Sequence, residues 1–151
     1  MKARYAGSAF TGEGARRVGG RWHSPGAPVV YTSASRALAM LEVLVNLTGA
    51  ARQDLPACVL IWAGFSEHLI EELPPRDLPT GWDAAAGSPA ARVLGDTWLA
   101  SKRSAVLRVP SVIVPGELNF LLNPLHSSFP QVHIGDPVSF AWDPRLAGDR
   151  T

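Results

Sequence analysis

Two stretches of the chain carry a helical period. Between Ser35 and Leu47, at 100° per residue, Met40, Leu44 and Leu47 align as one apolar stripe. Glu42 falls on the opposite side with Ser35, Ala39, Asn46 and Gly49, and Leu38 and Val45 sit at the edges of that side. The pattern predicts an amphipathic helix. Ser33 or Ser35 can cap it, because either hydroxyl can accept a free first-turn N–H. Thr48-Gly49-Ala50 supplies a glycine stop. The second helix is announced by Ser88-Pro89, a cap followed by proline at the first helical position. It runs through Val93, Leu94 and Trp98 to about Ser101. Gly95 weakens it and suits the close approach of another backbone. Asp96 reads as a solvated or locally hydrogen-bonded helix residue.

The rest of the pattern is extended or turn-like. Arg21-Trp22-His23 and Val29-Val30-Tyr31 flank the turn-rich Ser24-Pro25-Gly26-Ala27-Pro28, which predicts a hairpin. Symmetry about Gly26 would set Arg21 opposite Tyr31, on the same face. Gly12-Glu13-Gly14-Ala15-Arg16-Arg17 reads as a loop leading into it. Residues 57–62 form a continuous apolar run, the mark of a buried strand. Pro74, Pro75 and Pro79 break residues 66–82 into an irregular crossing. Residues 105–109 and 112–114 are β-like, and Pro110-Ser111 between them implies an edge, a bend or a bulge. Asn119-Phe120-Leu121-Leu122 leads into the turn signal Asn123-Pro124, and short strands are expected at 132–134 and 138–142 before Asp143-Pro144. Trp22, Trp62, Trp98 and Trp142 are assigned to the core. Short strands mixed with two helices, without βαβ alternation, predict an α+β fold with a mixed or antiparallel sheet, in a single domain over residues 1–151.

Composition narrows the function classes. The chain is 46% hydrophobic and 18% charged, which suits a folded domain. Its net charge is +1 without a basic run, which argues against a dedicated nucleic-acid binder. No apolar run reaches the length of a membrane span, and Met1-Lys2-Ala3-Arg4-Tyr5 lacks the apolar run of a signal peptide. Cys58 is alone, so a cytoplasmic chain without disulfides is expected, with Cys58 an inert core residue. The four histidines have no zinc-binding spacing, and no metal is expected. Phosphate-loop, dinucleotide-fingerprint and nucleophile-elbow motifs are missing. Glu42 is the residue with chemical promise. Its small and polar neighbours leave it either an ordinary surface carboxylate or one that a ligand can approach.

Longer strings say more. Glu13-Gly14-Ala15-Arg16-Arg17-x-Gly19-Gly20-Arg21-Trp22-x-Ser24-Pro25-Gly26, then Val30-Tyr31, then Ala39-x-x-Glu42, resembles the opening half of the RES domain, the toxin of RES–Xre toxin–antitoxin pairs. The later pieces agree: Gly95-Asp96-x-Trp98-Leu99, Leu107-Arg108-Val109-Pro110-Ser111, Asn119-x-Leu121-Leu122-Asn123-Pro124-x-His126 and Asp143-Pro144-Arg145-Leu146. The resemblance runs in order over nearly the whole chain. His23 stands where the family usually has asparagine, and the family's N-terminal strand is expected to be short or absent.

The resemblance implies a split sheet with flanking helices, similar to ADP-ribosyltransferases, and a toxin that consumes NAD. It carries the family's functional arginine, tyrosine and glutamate onto Arg21, Tyr31 and Glu42, and its later serine onto Ser111, with Ser104 as second candidate. Asn123 joins Ser111 as a candidate ligand contact, against the plainer reading that Asn123 and His126 shape the turn. The chemistry agrees. Breaking the nicotinamide–ribose bond develops positive charge on the sugar, which the Glu42 carboxylate can stabilise. The Arg21 fork suits pyrophosphate oxygens. Tyr31 can stack on nicotinamide or present its hydroxyl to ribose or phosphate. The expectation is therefore an NAD+ glycohydrolase or phosphorylase, with NAD as substrate and no metal, restrained by an Xre-type antitoxin. The same pocket could ADP-ribosylate a cellular protein. A non-catalytic binding module that keeps the fold is the third reading.

Overall fold

A computed structural model describes residues 1–47 and 54–147. The helix stop expected at Thr48-Gly49-Ala50 lies outside the described residues. The centre is a four-stranded sheet of β1 (Val30–Ser33), β4 (Ile70–Glu72), β5 (Val106–Pro110) and β6 (Leu118–Leu122), in the order β1-β6-β5-β4. β1, β6 and β5 run antiparallel, and β4 lies parallel to β5. Two ribbons stand apart from it: β2 (Cys58–Leu60) with β8 (Val138–Phe140), and β3 (Ala63–Gly64) with β7 (His133–Ile134). The mixed, split-sheet α+β architecture matches the expectation.

Side chains alternate across β5 and β6 and so build two cores. Leu107, Val109 and Leu121 pack with Trp22, Val29, Ala91 and Trp98 on one face. Val30, Val106 and Leu122 pack with Leu69, Ala105 and Val132 on the other. The first face is covered by α3 (Pro89–Ser101), whose start is as the sequence signals: the Ser88 hydroxyl accepts from the Ala91 N–H at 3.3 Å. The buried Trp98 indole donates to Ser104 Oγ at 2.7 Å. Gly95 meets another backbone, because any Cβ there would overlap the Trp22 carbonyl oxygen. α2 (Arg36–Val45) is capped by Ser35, which accepts from the Leu38 N–H at 3.1 Å. Its most buried residues are Leu38 and Leu44, so the core stripe is rotated toward Leu38 from the predicted Met40 side.

The expected hairpin does not form. Residues 19–29 are irregular, and Tyr31 pairs with Leu121 of β6 rather than with Arg21. Two prolines withhold ladder donors, and tertiary partners satisfy the segment instead. The Gly26 N–H reaches the Arg16 carbonyl, and the Ser24 N–H and hydroxyl reach Asp96 at 2.8 and 2.6 Å. Asp96 is thus a clamp on a distant loop, not a solvated residue. Most of residues 12–17, read as loop, belongs to α1 (Glu13–Val18), stapled on its surface by Glu13 with Arg16 and Arg17.

Other differences follow from contacts the pattern does not encode. The crossing at 66–82 contains β4, whose Glu71 pairs with Arg103 and Glu72 with Arg108. β5 is interior, with Pro110 at its end. Residues 112–114 turn rather than extend, because the Ser111 hydroxyl accepts from the N–H groups of Ile113 and Val114. The run at 57–62 is a strand only over Cys58–Leu60. Trp62 is 60% exposed instead of buried. Trp142 is half-buried, its indole donating to the Pro56 carbonyl.

The Gly95 contact is testable. Gly95→Ala should lower stability by about 3 kcal/mol, the cost of forcing atoms into a packed contact, read from the midpoint of denaturant unfolding. An unchanged midpoint would mean the loop does not lie against α3.

Candidate active site

The site begins at the free edge of the central sheet. Tyr31 and Ser33 alternate onto the face of β1 whose cross-strand partners are Leu121 and Asn119. The chain then turns directly into α2, which carries Glu42 back over that face. Glu42 Oε1 accepts from Asn119 Nδ2 at 2.6 Å, and the Ser111 hydroxyl donates to the same oxygen at 3.4 Å. The Ser111 oxygen already accepts the Ile113 and Val114 amides, so its proton is free to turn toward the carboxylate. Strand, helix and post-strand turn thus converge on one half-buried carboxylate. Oε2 of Glu42 has no hydrogen-bond partner among the described residues.

Arg21 is placed by the irregular loop. Its Nη1 donates to the carbonyls of Trp82 and Ala84, both at 2.9 Å. Nε and Nη2 have no partner among the described residues. Arg21 lies near enough to Tyr31 to act on its ionisation. Burial pushes the Tyr31 phenol well above its ordinary range and Asp96 adds to this, while the Trp22 backbone, Arg21 and Arg92 work the other way. Tyr31 is nevertheless 41% exposed. The two observations describe different ends of the side chain. A Cβ on Gly20 would stand 2.5 Å from the hydroxyl and His23 Nδ1 lies 2.8 Å from it, so the oxygen is enclosed while the ring is open.

A groove of about 1330 Å³ runs along the β1 edge, with Tyr31, Ser33, Arg17, Ala39, Phe120 and Trp62 in its wall. Tyr31 is part of that wall, and Arg21 and Glu42 are not. Two predicted candidates are elsewhere. Asn123 is buried at the other end of β6, where its side chain accepts from the Leu125 N–H at 3.0 Å and shapes the turn. Ser104 is held by the Trp98 indole and the Val106 carbonyl. Asn119 is the residue that sequence reasoning missed. Its signal was a polar side chain two positions from Leu121, on the face the strand buries. Among the described residues no group of His, Cys, Asp and Glu could hold a metal ion, and no helix is long and apolar enough to cross a membrane.

The fold and site thus define a split-sheet α+β domain with a carboxylate, a guanidinium and an open aromatic ring around one sheet edge. The RES domain profile matches residues 2–143, and the chain belongs to the RES domain family. It is 40% identical to "Toxin Res" of Yersinia enterocolitica over 95% of this chain and 93% of that protein. It is 38% identical to "Prs ADP-ribosylating toxin" of a Sphingobium species over 94% of this chain and 89% of that one. In fold it is similar to a chain of the crystal structure of the M. tuberculosis MbcT–MbcA toxin–antitoxin complex, with a TM-score of 0.72, 21% identity, and coverage of 90% of this chain and 78% of that one.

Two predictions arise from these contacts. Asn119→Asp would bring a second carboxylate against Glu42. The variant should match the parent in acid and lose about 2 kcal/mol of stability as pH rises through the carboxylate range, since like charges then repel. Urea midpoints at pH 3.5 and pH 7 compare the two states. His23 is fully buried, and that burial holds its imidazole below its ordinary value of 6.5. The unfolded chain takes up that proton first as pH falls, so stability should decline below about pH 6.5. His23→Asn should flatten that slope in a pH series of thermal midpoints.

Proposed function

We propose that this protein is a toxin that binds NAD+ and breaks its nicotinamide–ribose bond. The observation that carries the reading is the Glu42 carboxylate, fastened by Asn119 and Ser111 on the sheet face that also presents Tyr31, with Arg21 close by. As the glycosidic bond lengthens, the ribose gains oxocarbenium character and nicotinamide leaves as a neutral ring. Glu42, already oriented, can hydrogen-bond the ribose hydroxyls through its free oxygen and stabilise the growing positive charge without reorganising. The unpaired guanidinium nitrogens of Arg21 fit pyrophosphate oxygens. The exposed Tyr31 ring offers a stacking surface. Ser111 supports Glu42 and can share its proton with a ligand oxygen. Asn123 is left out, because its side chain serves the turn.

The acceptor of the ADP-ribosyl group is water or phosphate in this reading, and the activity would deplete NAD in the cytoplasm until an Xre-type antitoxin binds. A second reading is ADP-ribosyl transfer to a cellular protein, favoured by the Sphingobium relative whose name is that of an ADP-ribosylating toxin. Both use the same pocket and differ only in the acceptor.

Incubation with NAD+ separates them. Free nicotinamide without modified protein is the expected result. Label on a protein band would replace it with transfer, and neither product would leave a binding module. Glu42→Gln should keep the fold and slow nicotinamide release at least tenfold, about 1.4 kcal/mol of barrier. Near-normal release would remove Glu42 from the mechanism.

A further inference from the structure

We infer that His23 is a positioning residue for Tyr31: as a neutral imidazole with its proton on Nε2, it accepts the Tyr31 hydroxyl at Nδ1 and so fixes how the ring stands at the mouth of the groove. The inference rests on the reading that Tyr31 meets the ligand.

The polarity of the chain of bonds is forced by its far end. His23 Nε2 lies 3.1 Å from the carbonyl oxygen of Ala15 on α1, and a carbonyl can only accept. The ring proton therefore sits on Nε2. A neutral imidazole has no second proton, so Nδ1 is an acceptor, and the Tyr31 hydroxyl 2.8 Å away must donate into it. His23 is 0% exposed, so no solvent competes for either bond. The Tyr31 proton is thereby committed to the protein, beside Gly20, where any Cβ would stand 2.5 Å from the oxygen. Tyr31 cannot then donate to a phosphate. What it offers the groove is the ring, held at one rim by a rigid path from α1 through His23 to β1.

Asparagine would also present one donor and one acceptor at this position. Histidine adds a titration. A second proton on Nδ1 would face the tyrosine O–H donor to donor, and the hydroxyl would have to turn away and give up that bond. Burial opposes that proton, as does Arg92 of α3, while Asp96 of the same helix favours it. Arg21 and Arg92 act on the tyrosine side of the pair.

The test uses the whole chain. Nitrogen-15 spectra of the free protein at pH 7 should show the His23 ring protonated at Nε2 alone. A proton at Nδ1 overturns the inference whether or not NAD+ is cleaved. In the NAD+ assay, His23→Leu should raise KM at least about tenfold, Tyr31→Phe likewise, and the double variant little further, because each removes the same bond. His23→Asn should stay within about threefold of the parent KM and lose the parent's fall in kcat/KM on the acid side. A folded His23→Leu with the parent KM, additive losses in the double variant, or a His23→Asn that keeps the acid limb would each overturn it. A parent protein that leaves NAD+ intact would sink the proposed function instead, and the nitrogen spectra would still decide the bond.

Discussion

The site depends on one close approach of two backbones. The Trp22 carbonyl lies against Gly95 of α3 in space that any side chain would fill. One residue along the helix, Asp96 takes both the N–H and the hydroxyl of Ser24. Between them these contacts pin the 19–24 loop, which has no ladder of its own to hold it. A carboxylate that accepts two short bonds from one residue is a directional clamp, stronger than a neutral pair. Trp22 then fills the core between α3 and the sheet, stacking at 5.8 Å on Trp82. Arg21 and His23, on either side of Trp22, are aimed by that anchor: Arg21 toward the carbonyls at 82 and 84, His23 toward Tyr31.

The opposite wall of the site is built by a different device. β1 is an edge strand only four residues long and is followed at once by a capped helix. The short connection returns α2 over the face on which Tyr31 and Asn119 stand. Glu42 meets the amide of Asn119 there rather than open water. The irregular loop thus supplies the guanidinium of Arg21, the edge strand the ring of Tyr31, and the helix after it the carboxylate of Glu42. The groove runs along β1, the free edge of the central sheet, while β2 and β3 form separate ribbons with β8 and β7.

Much of the local structure was legible. Ser35 and Ser88 cap their helices, Pro89 opens α3, and Gly95 lies where a backbone passes. These signals act within a few residues or concern the space a side chain needs. The hairpin misled because turn residues and β-formers occur in the right order, yet the partner of β1 is β6, far along the chain. Trp62 misled because an apolar run does not say where it leaves the core. Its indole lies over Gly64 and Gly135 instead, with most of its surface open. For the site, the sequence string marked Arg21, Tyr31 and Glu42; the structure puts Arg21 within electrostatic reach of Tyr31 and fastens Glu42 to Asn119 and Ser111. Asn119 was missed and Asp96 misread as solvated or locally bonded, since each acts on a residue seventy or more positions away.

By itself the sequence determined the family, the two capped helices and the residue types available for chemistry, because caps, turn residues and helical periods are short-range physics. Tertiary structure alone decided which polar groups face one another. Hydrogen-bond polarity at His23, the grip of Asn119 on Glu42 and the isolation of Asn123 in its turn depend on strand register and on the packing of α3. Those quantities come from contacts between distant segments, and no local pattern contains them.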